Sequence, residues 1–211
     1  MKVFFDLDGT LLDIAPRHYE VYKDVVIYFG GQPLSQQVYW ELKRKKTKWP
    51  LLLPKSKLNP DIEQDFLNVF IDKIESTEYL KKDKLFPGAL VELSRISVLY
   101  KCYLVSLRRK HDNLIKQISW LGLAPFFTEV LAGHSESDGH DVKTNIISNK
   151  LKASSGVIIG DTEADIVTGK NLHLTTIALT TGIRDDKFLM ALEPDYIIDS
   201  IQQLHTIFEE M

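Results

Sequence analysis

Short apolar runs separated by longer mixed segments set the rhythm of this chain. Val3-Phe4-Phe5 favours a β-strand and stops at Asp6-Leu7-Asp8-Gly9-Thr10, where acids, glycine and threonine predict a loop. Comparable runs lie at residues 102–105, 157–159 and 175–179, with a weaker one at 196–198. Segments of helical length separate them. Strands alternating with helices predict parallel β-α-β units, hence an α/β fold with a doubly wound parallel sheet, whose ligands bind beyond the carboxyl ends of the strands.

The alternation lapses between residues 14 and 84, where segments 17–29, 36–46 and 61–80 carry helical apolar spacing and no convincing strand. Pro50, Pro54 and Pro60 punctuate this stretch, and Pro87-Gly88 marks its end. The pattern predicts a core of residues 1–13 plus 85–211 and an inserted helical module of residues 14–84. Because the module leaves the core just after strand one, it is expected to emerge beside the first acidic loop and to cap it.

Composition narrows the class without naming a partner. A length of 211 residues suits one main domain with a smaller module, and 44% hydrophobic with 26% charged residues is ordinary globular composition. The single cysteine, Cys102, excludes an intramolecular disulfide and reads as a buried thiol in a reducing compartment. Two acids within the first eight residues leave no room for a secretory apolar region, and no stretch reaches membrane-spanning length, so a cytoplasmic protein away from membranes is expected. A net charge of −3 gives no global attraction to nucleic acid.

The chemistry gathers at strand ends. Asp6 and Asp8 follow strand one, and such a pair is costly unless a cation or proton neutralises it; hard oxygen ligands suggest Mg2+. Asp161 and Asp165 follow Val157-Ile158-Ile159-Gly160, so one ion can serve both loops if the two strands are neighbours. The plain alternative is that Asp6 opens a turn and Asp161 caps the next helix. Ser106 closes the strand at 102–105 and can donate to a phosphoryl oxygen, while Lys143 can neutralise nucleophile and phosphate. Taken singly, such a serine usually belongs to a turn and such a lysine to a solvated surface.

Together these residues resemble the haloacid dehalogenase superfamily of phosphatases, and within it the phosphoglycolate-phosphatase-like branch with a helical cap between the first two motifs. The likeness covers nearly the whole chain. Its first motif is Asp6-Leu7-Asp8-Gly9-Thr10-Leu11, its second Ser106, its third Lys143 and its fourth Gly160-Asp161-Thr162-Glu163-Ala164-Asp165; Gly182-Ile183-Arg184 and residues 194–198 resemble the tail of that branch. The resemblance implies a Rossmann-like core and a magnesium-dependent phosphomonoester hydrolase acting on a small phosphorylated metabolite through an aspartyl-phosphate. It makes Asp6 the nucleophile and Asp8 the acid, then the base. It assigns Mg2+ to the Asp6 carboxylate, the Asp8 carbonyl and Asp161, with Asp165 in support. Phosphate contacts fall to Gly9, Thr10, Ser106 and Lys143. Aspartate at position 8 disfavours carbon–halogen cleavage, which needs no leaving-group acid. Sugar-phosphate mutases share the motifs and stay as an alternative, as does a non-catalytic phosphate-binding protein.

Some positions depart from the pattern or stand outside it. In Ser106-Leu107-Arg108-Arg109 the residue after the hydroxyl is usually small or an amide, so Leu107 offers only its backbone N–H and Arg108 is the side chain left to face substrate. The run Lys43-Arg44-Lys45-Lys46-Thr47-Lys48 reads either as a solvated helix end or as an attractor for a second anionic group, with Arg44 and Lys43 the candidates. Trp40 and Trp49 read as core of the inserted module. Asp13 and Arg17 stand where the chain leaves the first loop and suit substrate contact, capping or a mutual ion pair. His134-Ser135-Glu136-Ser137-Asp138-Gly139-His140-Asp141 reads as a polar loop. No pattern speaks to oligomeric state.

Overall fold

Lys2–Phe5 (β1) buries Val3, Phe4 and Phe5 completely, as a strand covered on both faces must. The computed structural model describes residues 1–133, 139–151 and 155–211. The other strands are Leu12–Asp13 (β2), Lys84–Leu85 (β3), Lys101–Ser106 (β4), Glu129–Ala132 (β5), Gly156–Gly160 (β6), Thr175–Leu179 (β7) and Tyr196–Ile198 (β8). One parallel sheet runs β5-β4-β1-β6-β7-β8, and β2 pairs with β3 separately. The chain steps outward from β1 to β4 and β5, then returns to β6 on the other side. Such a reversal opens a crevice at the carboxyl edge of the central strands. The expected α/β class and parallel sheet are therefore present. The strand at 129–132 was not expected.

The chain divides into two compact units, Met1–Asp13 with Leu85–Met211, and Ile14–Lys84. The second unit holds Ala15–Tyr28 (α1), Gln36–Arg44 (α2), Trp49–Leu52 (α3), Glu63–Ile74 (α4) and Thr77–Leu80 (α5). Its core gathers Val21, Tyr22, Val25 and Val26 of α1 with Tyr39, Leu52, Phe66, Phe70 and Tyr79. Trp49 packs on Phe66 and Phe70 at 4.9 and 5.3 Å between ring centroids. The helical stretch expected over 61–80 is broken: Ser76 takes extended backbone (φ −75°, ψ 148°), a conformation serine favours at a helix start, and separates α4 from α5. Likewise α2 ends at Arg44 rather than 46, where Lys46 turns left-handed. Arg17 pairs with Asp83, Nε to Oδ1 at 3.0 Å, and donates to the Ile74 carbonyl, tying α1 to the far end of the same unit.

Tyr39 stacks on Tyr22, centroids 4.1 Å apart. The Tyr22 hydroxyl meets Ser56 Oγ at 2.7 Å and accepts from the Leu34 N–H, whereas the buried Tyr39 hydroxyl has no hydrogen-bond partner among the described residues. A buried unsatisfied hydroxyl carries its desolvation cost with no return. Tyr39→Phe is therefore expected to leave stability unchanged or raise it by up to ~1 kcal/mol, and Tyr22→Phe to lower it by about 1 kcal/mol, in urea denaturation. The reverse ranking would contradict this hydrogen-bond assignment.

The core's helices are Ala89–Leu99 (α6), His111–Trp120 (α7), Gly139–Leu151 (α8), Glu163–Asn171 (α9), Asp186–Met190 (α10) and Leu204–Glu210 (α11). Phe4 and Tyr103, paired in register, stack at 5.2 Å, and Ile147 of α8 joins them against the sheet. Burial pushes the Cys102 thiol up to about 12, so it stays protonated within β4. Among the described residues no helix is long and apolar enough to cross a membrane.

Candidate active site

Register decides which loops meet. Phe5 lies opposite Leu104 on one side and Ile159 on the other, so the segments following β1, β4 and β6 leave the sheet side by side. The Asp6 N–H donates to the Ile159 carbonyl at 2.9 Å, carrying the β1–β6 ladder one step past the strand. Ser106 is the last residue of β4, and Asp161 the first after β6. The acidic loops are thus neighbours, the condition that a shared ion requires.

Lys143 joins them from α8. Its buried Nζ donates to Asp6 Oδ1 at 2.6 Å and to Asp165 Oδ1 at 2.5 Å. Asp165 Oδ2 in turn accepts from the Thr162 N–H and hydroxyl at 3.2 and 2.7 Å, the reciprocal bond that opens α9. Thr162, not Asp161, therefore stands at that helix start. Asp161 instead accepts from Thr10 Oγ1 at 3.1 Å and from the Ile183 N–H at 2.6 Å.

Glycine lets these parts approach. Gly9 has φ +85°, and a Cβ there would lie 2.2 Å from Asp161 Oδ2; at Gly160 it would lie 2.0 Å from Asp165 Cγ. Neither position has space for any side chain.

Three buried carboxylates facing one ammonium leave an excess of negative charge. Burial raises the Asp6 carboxyl to about 7, with Lys143 pulling down and Asp165 and Asp8 pushing up. Burial likewise lifts Asp161 well above the usual range, helped by Asp6 and Asp165. Burial disfavours the charged Lys143, yet Asp165 and Asp6 outweigh it and raise the ammonium's pKa. One carboxylate oxygen each of Asp6, Asp161 and Asp165 lies within 4.8 Å of the others. An all-oxygen, net negative cluster of this size suits a hard divalent cation such as Mg2+.

Asp8 is placed differently. Its side chain is 27% exposed, and both carboxylate oxygens accept from Arg108: Oδ2 from Nε at 2.7 Å and Oδ1 from Nη2 at 2.5 Å. Arg108 Nη1 donates to Gln117 Oε1 on α7, and the Arg108 N–H to Ser106 Oγ at 3.3 Å. The guanidinium that the sequence offered to substrate is buried and turned toward Asp8, because β4 delivers it beside the β1 loop.

Asp6, Asp8, Gly9, Thr10, Ser106, Lys143, Asp161 and Asp165 thus gather at one edge of the sheet, with Leu107 half-buried beside them. Arg44 lies half-buried in the last turn of α2, in the helical unit, with Lys43 Nζ 5.9 Å over the Trp49 ring. Of the tract expected as a polar loop, residues 139–141 begin α8 and 134–138 lie outside the described residues. Thr162 and Ile183 stand within the quoted motifs but were given no role of their own, and Gln117 was missed. The Thr162-x-x-Asp165 spacing is a capping signature that could have revealed the first role, whereas no local spacing marks the contacts of the other two.

The profile of the haloacid dehalogenase-like hydrolases matches residues 3–179. The chain belongs to that family. As a haloacid dehalogenase-like hydrolase it is an enzyme, and it resembles curated members named as phosphatases. One is a phosphoglycolate phosphatase of Synechococcus elongatus, 22% identical over 203 residues that cover 96% of this chain and 94% of that protein. Another is a pyrophosphatase of Oceanobacillus iheyensis, 23% identical over 222 residues covering 97% and 95%. Among solved structures, a haloacid dehalogenase-like hydrolase of Streptococcus pneumoniae superposes with a TM-score of 0.77 at 21% identity, covering 98% of this chain and 97% of that one.

Proposed function

We propose that the chain is a magnesium-dependent phosphomonoester hydrolase that takes a phosphoryl group from a small phosphorylated metabolite onto Asp6. The observation that carries this reading is the Asp6 carboxylate, held by Lys143 among Asp161 and Asp165 at the end of the central strand. Asp6 Oδ attacks phosphorus in line, and the bond to the leaving oxygen breaks as Asp8 gives that oxygen its proton. Asp8 then takes a proton from water, whose oxygen attacks the aspartyl-phosphate and releases inorganic phosphate and free Asp6. Ser106 and Lys143 hold the non-bridging oxygens, with backbone N–H groups around Gly9 and Thr10. When bound, Mg2+ would be held by Asp6, the Asp8 carbonyl and Asp161 with Asp165 in support, and would supply the positive charge that lets an anionic nucleophile meet an anionic phosphate.

The relatives' names point to small phosphorylated compounds and differ in which one, so the class is proposed and no single substrate. The helical unit is proposed as a mobile cap, with Arg44 as a contact to the substrate's second anionic group. A cytoplasmic location accords with the lone buried thiol.

Phosphate release from a panel of metabolite esters tests the reading. Magnesium should support turnover of at least one ester, and a chelator should reduce it by at least ~10²-fold. An isomer formed without free phosphate would move the assignment to a mutase. Binding without turnover across the panel would make the protein non-catalytic.

A further inference from the structure

We propose that Arg108 is a positioning residue of this site, gripping the Asp8 carboxylate by both oxygens from a support on α7 and so aiming it at the departing oxygen. The inference rests on the phosphatase reading above, in which Asp8 serves the leaving group.

The contact is a fork on a fork. Nε and Nη2 of one guanidinium meet the two Asp8 oxygens at 2.7 and 2.5 Å, which fixes the plane of the carboxyl group as well as its distance. Arg108 is itself fixed. Its side chain is 4% exposed, Nη1 donates to the fully buried Gln117 of α7, and its N–H meets the Ser106 hydroxyl. A chain of contacts thus runs from α7 through Gln117 and Arg108 to Asp8, buried along its length and open to solvent at the carboxylate, which is 27% exposed. Buried supports with a single exposed end suit the aiming of a reactive group, because the orientation is set before the substrate arrives.

Position along the chain explains why Asp8 needs such support. Asp6 continues the β1–β6 ladder and is held by Lys143. Asp8 comes two residues later, beyond the strand. An isolated bridge to Leu12 holds its backbone there, and the orientation of its side chain is left to Arg108. When substrate binds, one Arg108 contact stays in place while the other Asp8 oxygen, released from the guanidinium and protonated from solvent on its exposed side, turns that proton to the leaving oxygen, so the carboxyl plane keeps its aim. The Oδ–H bond of Asp8 breaks as the O–H bond of the leaving group forms and the P–O bond cleaves. The pair left on Asp8 returns to the guanidinium.

Leaving-group dependence separates this role from a merely structural or phosphate-binding one. p-Nitrophenyl phosphate departs without a proton, whereas p-methoxyphenyl phosphate, of nearly the same shape, needs one. For Arg108→Gln, kcat/KM, which stops at departure of the leaving group and so excludes the aspartyl-phosphate hydrolysis common to both esters, should fall by about 10² on the methoxy ester and by less than ~10 on the nitro ester. Arg108→Lys should show the same skew, because an ammonium supplies charge without the fork. Gln117→Leu, which keeps Arg108 but removes its support, should show it in weaker form and serves if Arg108→Gln does not fold. In an Asp8→Asn background, Arg108→Gln should add less than ~2-fold on either ester.

Equal losses on the two esters, or a full further loss in the Asp8→Asn background, would overturn the proposal, since Arg108 would then act on phosphate or on the fold. The two readings fail separately. A wild-type protein that hydrolyses neither ester removes the phosphatase reading and this inference with it, whereas even losses in the variants of an active wild type remove the inference alone.

Discussion

Replacing Asp6 with asparagine is expected to cut turnover by at least about 10³-fold and, in the absence of metal, to raise thermal stability above pH 7. The first effect follows from losing the attacking oxygen anion while keeping its shape. The second follows from burial. The folded-state Asp6 carboxyl is raised from 3.8 to about 7, so between those values the folded protein holds a proton that the unfolded chain has released. Stability from this group is therefore fully present below 3.8, falls as pH rises from there, and is gone above about 7. Asparagine does not titrate and escapes that loss. Melting curves in chelator should show the variant above wild type at pH 8 and by a clearly smaller margin at pH 5. Magnesium should narrow the gap at pH 8 by stabilising wild type more. Retained turnover in Asp6→Asn would sink the assignment of the nucleophile.

Removing the central cation should act in the opposite direction. Lys143→Met keeps most of the side chain's volume but leaves Asp6, Asp161 and Asp165 facing one another, and stranded buried charges are expensive. A loss of about 3–5 kcal/mol is expected in urea denaturation of the metal-free protein at pH 8, with a smaller loss at pH 5, where Asp6 holds a proton. Magnesium should recover more stability in the variant than in wild type, because the ion takes over the neutralising charge. A loss independent of both pH and magnesium would mean that Lys143 stabilises the protein through packing alone.

Legibility in the sequence followed the range of the forces involved. The strands at 3–5, 175–179 and 196–198 were readable because each is a compact β-favouring run bounded by turn residues. Glu129–Ala132 was not. It is an edge strand with one buried residue, Leu131, and so lacks a run of apolar residues long enough to stand out. The break at Ser76 was hidden because helical apolar spacing continues across it. In the site, Asp6 and Asp161 were readable as strand-end acids and Lys143 through family likeness. The grip of Arg108 on Asp8 was not, since it joins residues 100 apart through the register of β4 on β1 and one choice of side-chain rotamer. Arg17 illustrates the same limit: its partner is Asp83, at the far end of the inserted unit, and local spacing gives no hint of it.

The paired ends of the insertion have an evolutionary consequence. Leu12–Asp13 and Lys84–Leu85 lie as adjacent strands, so the sheet that carries Asp6 and Asp161 meets the inserted unit as a loop whose ends are already joined. Closing a loop between fixed ends becomes harder only slowly with its length, by about 0.6 kcal/mol for each doubling. The insertion can therefore lengthen, shorten or be exchanged over generations with little strain on the acidic cluster.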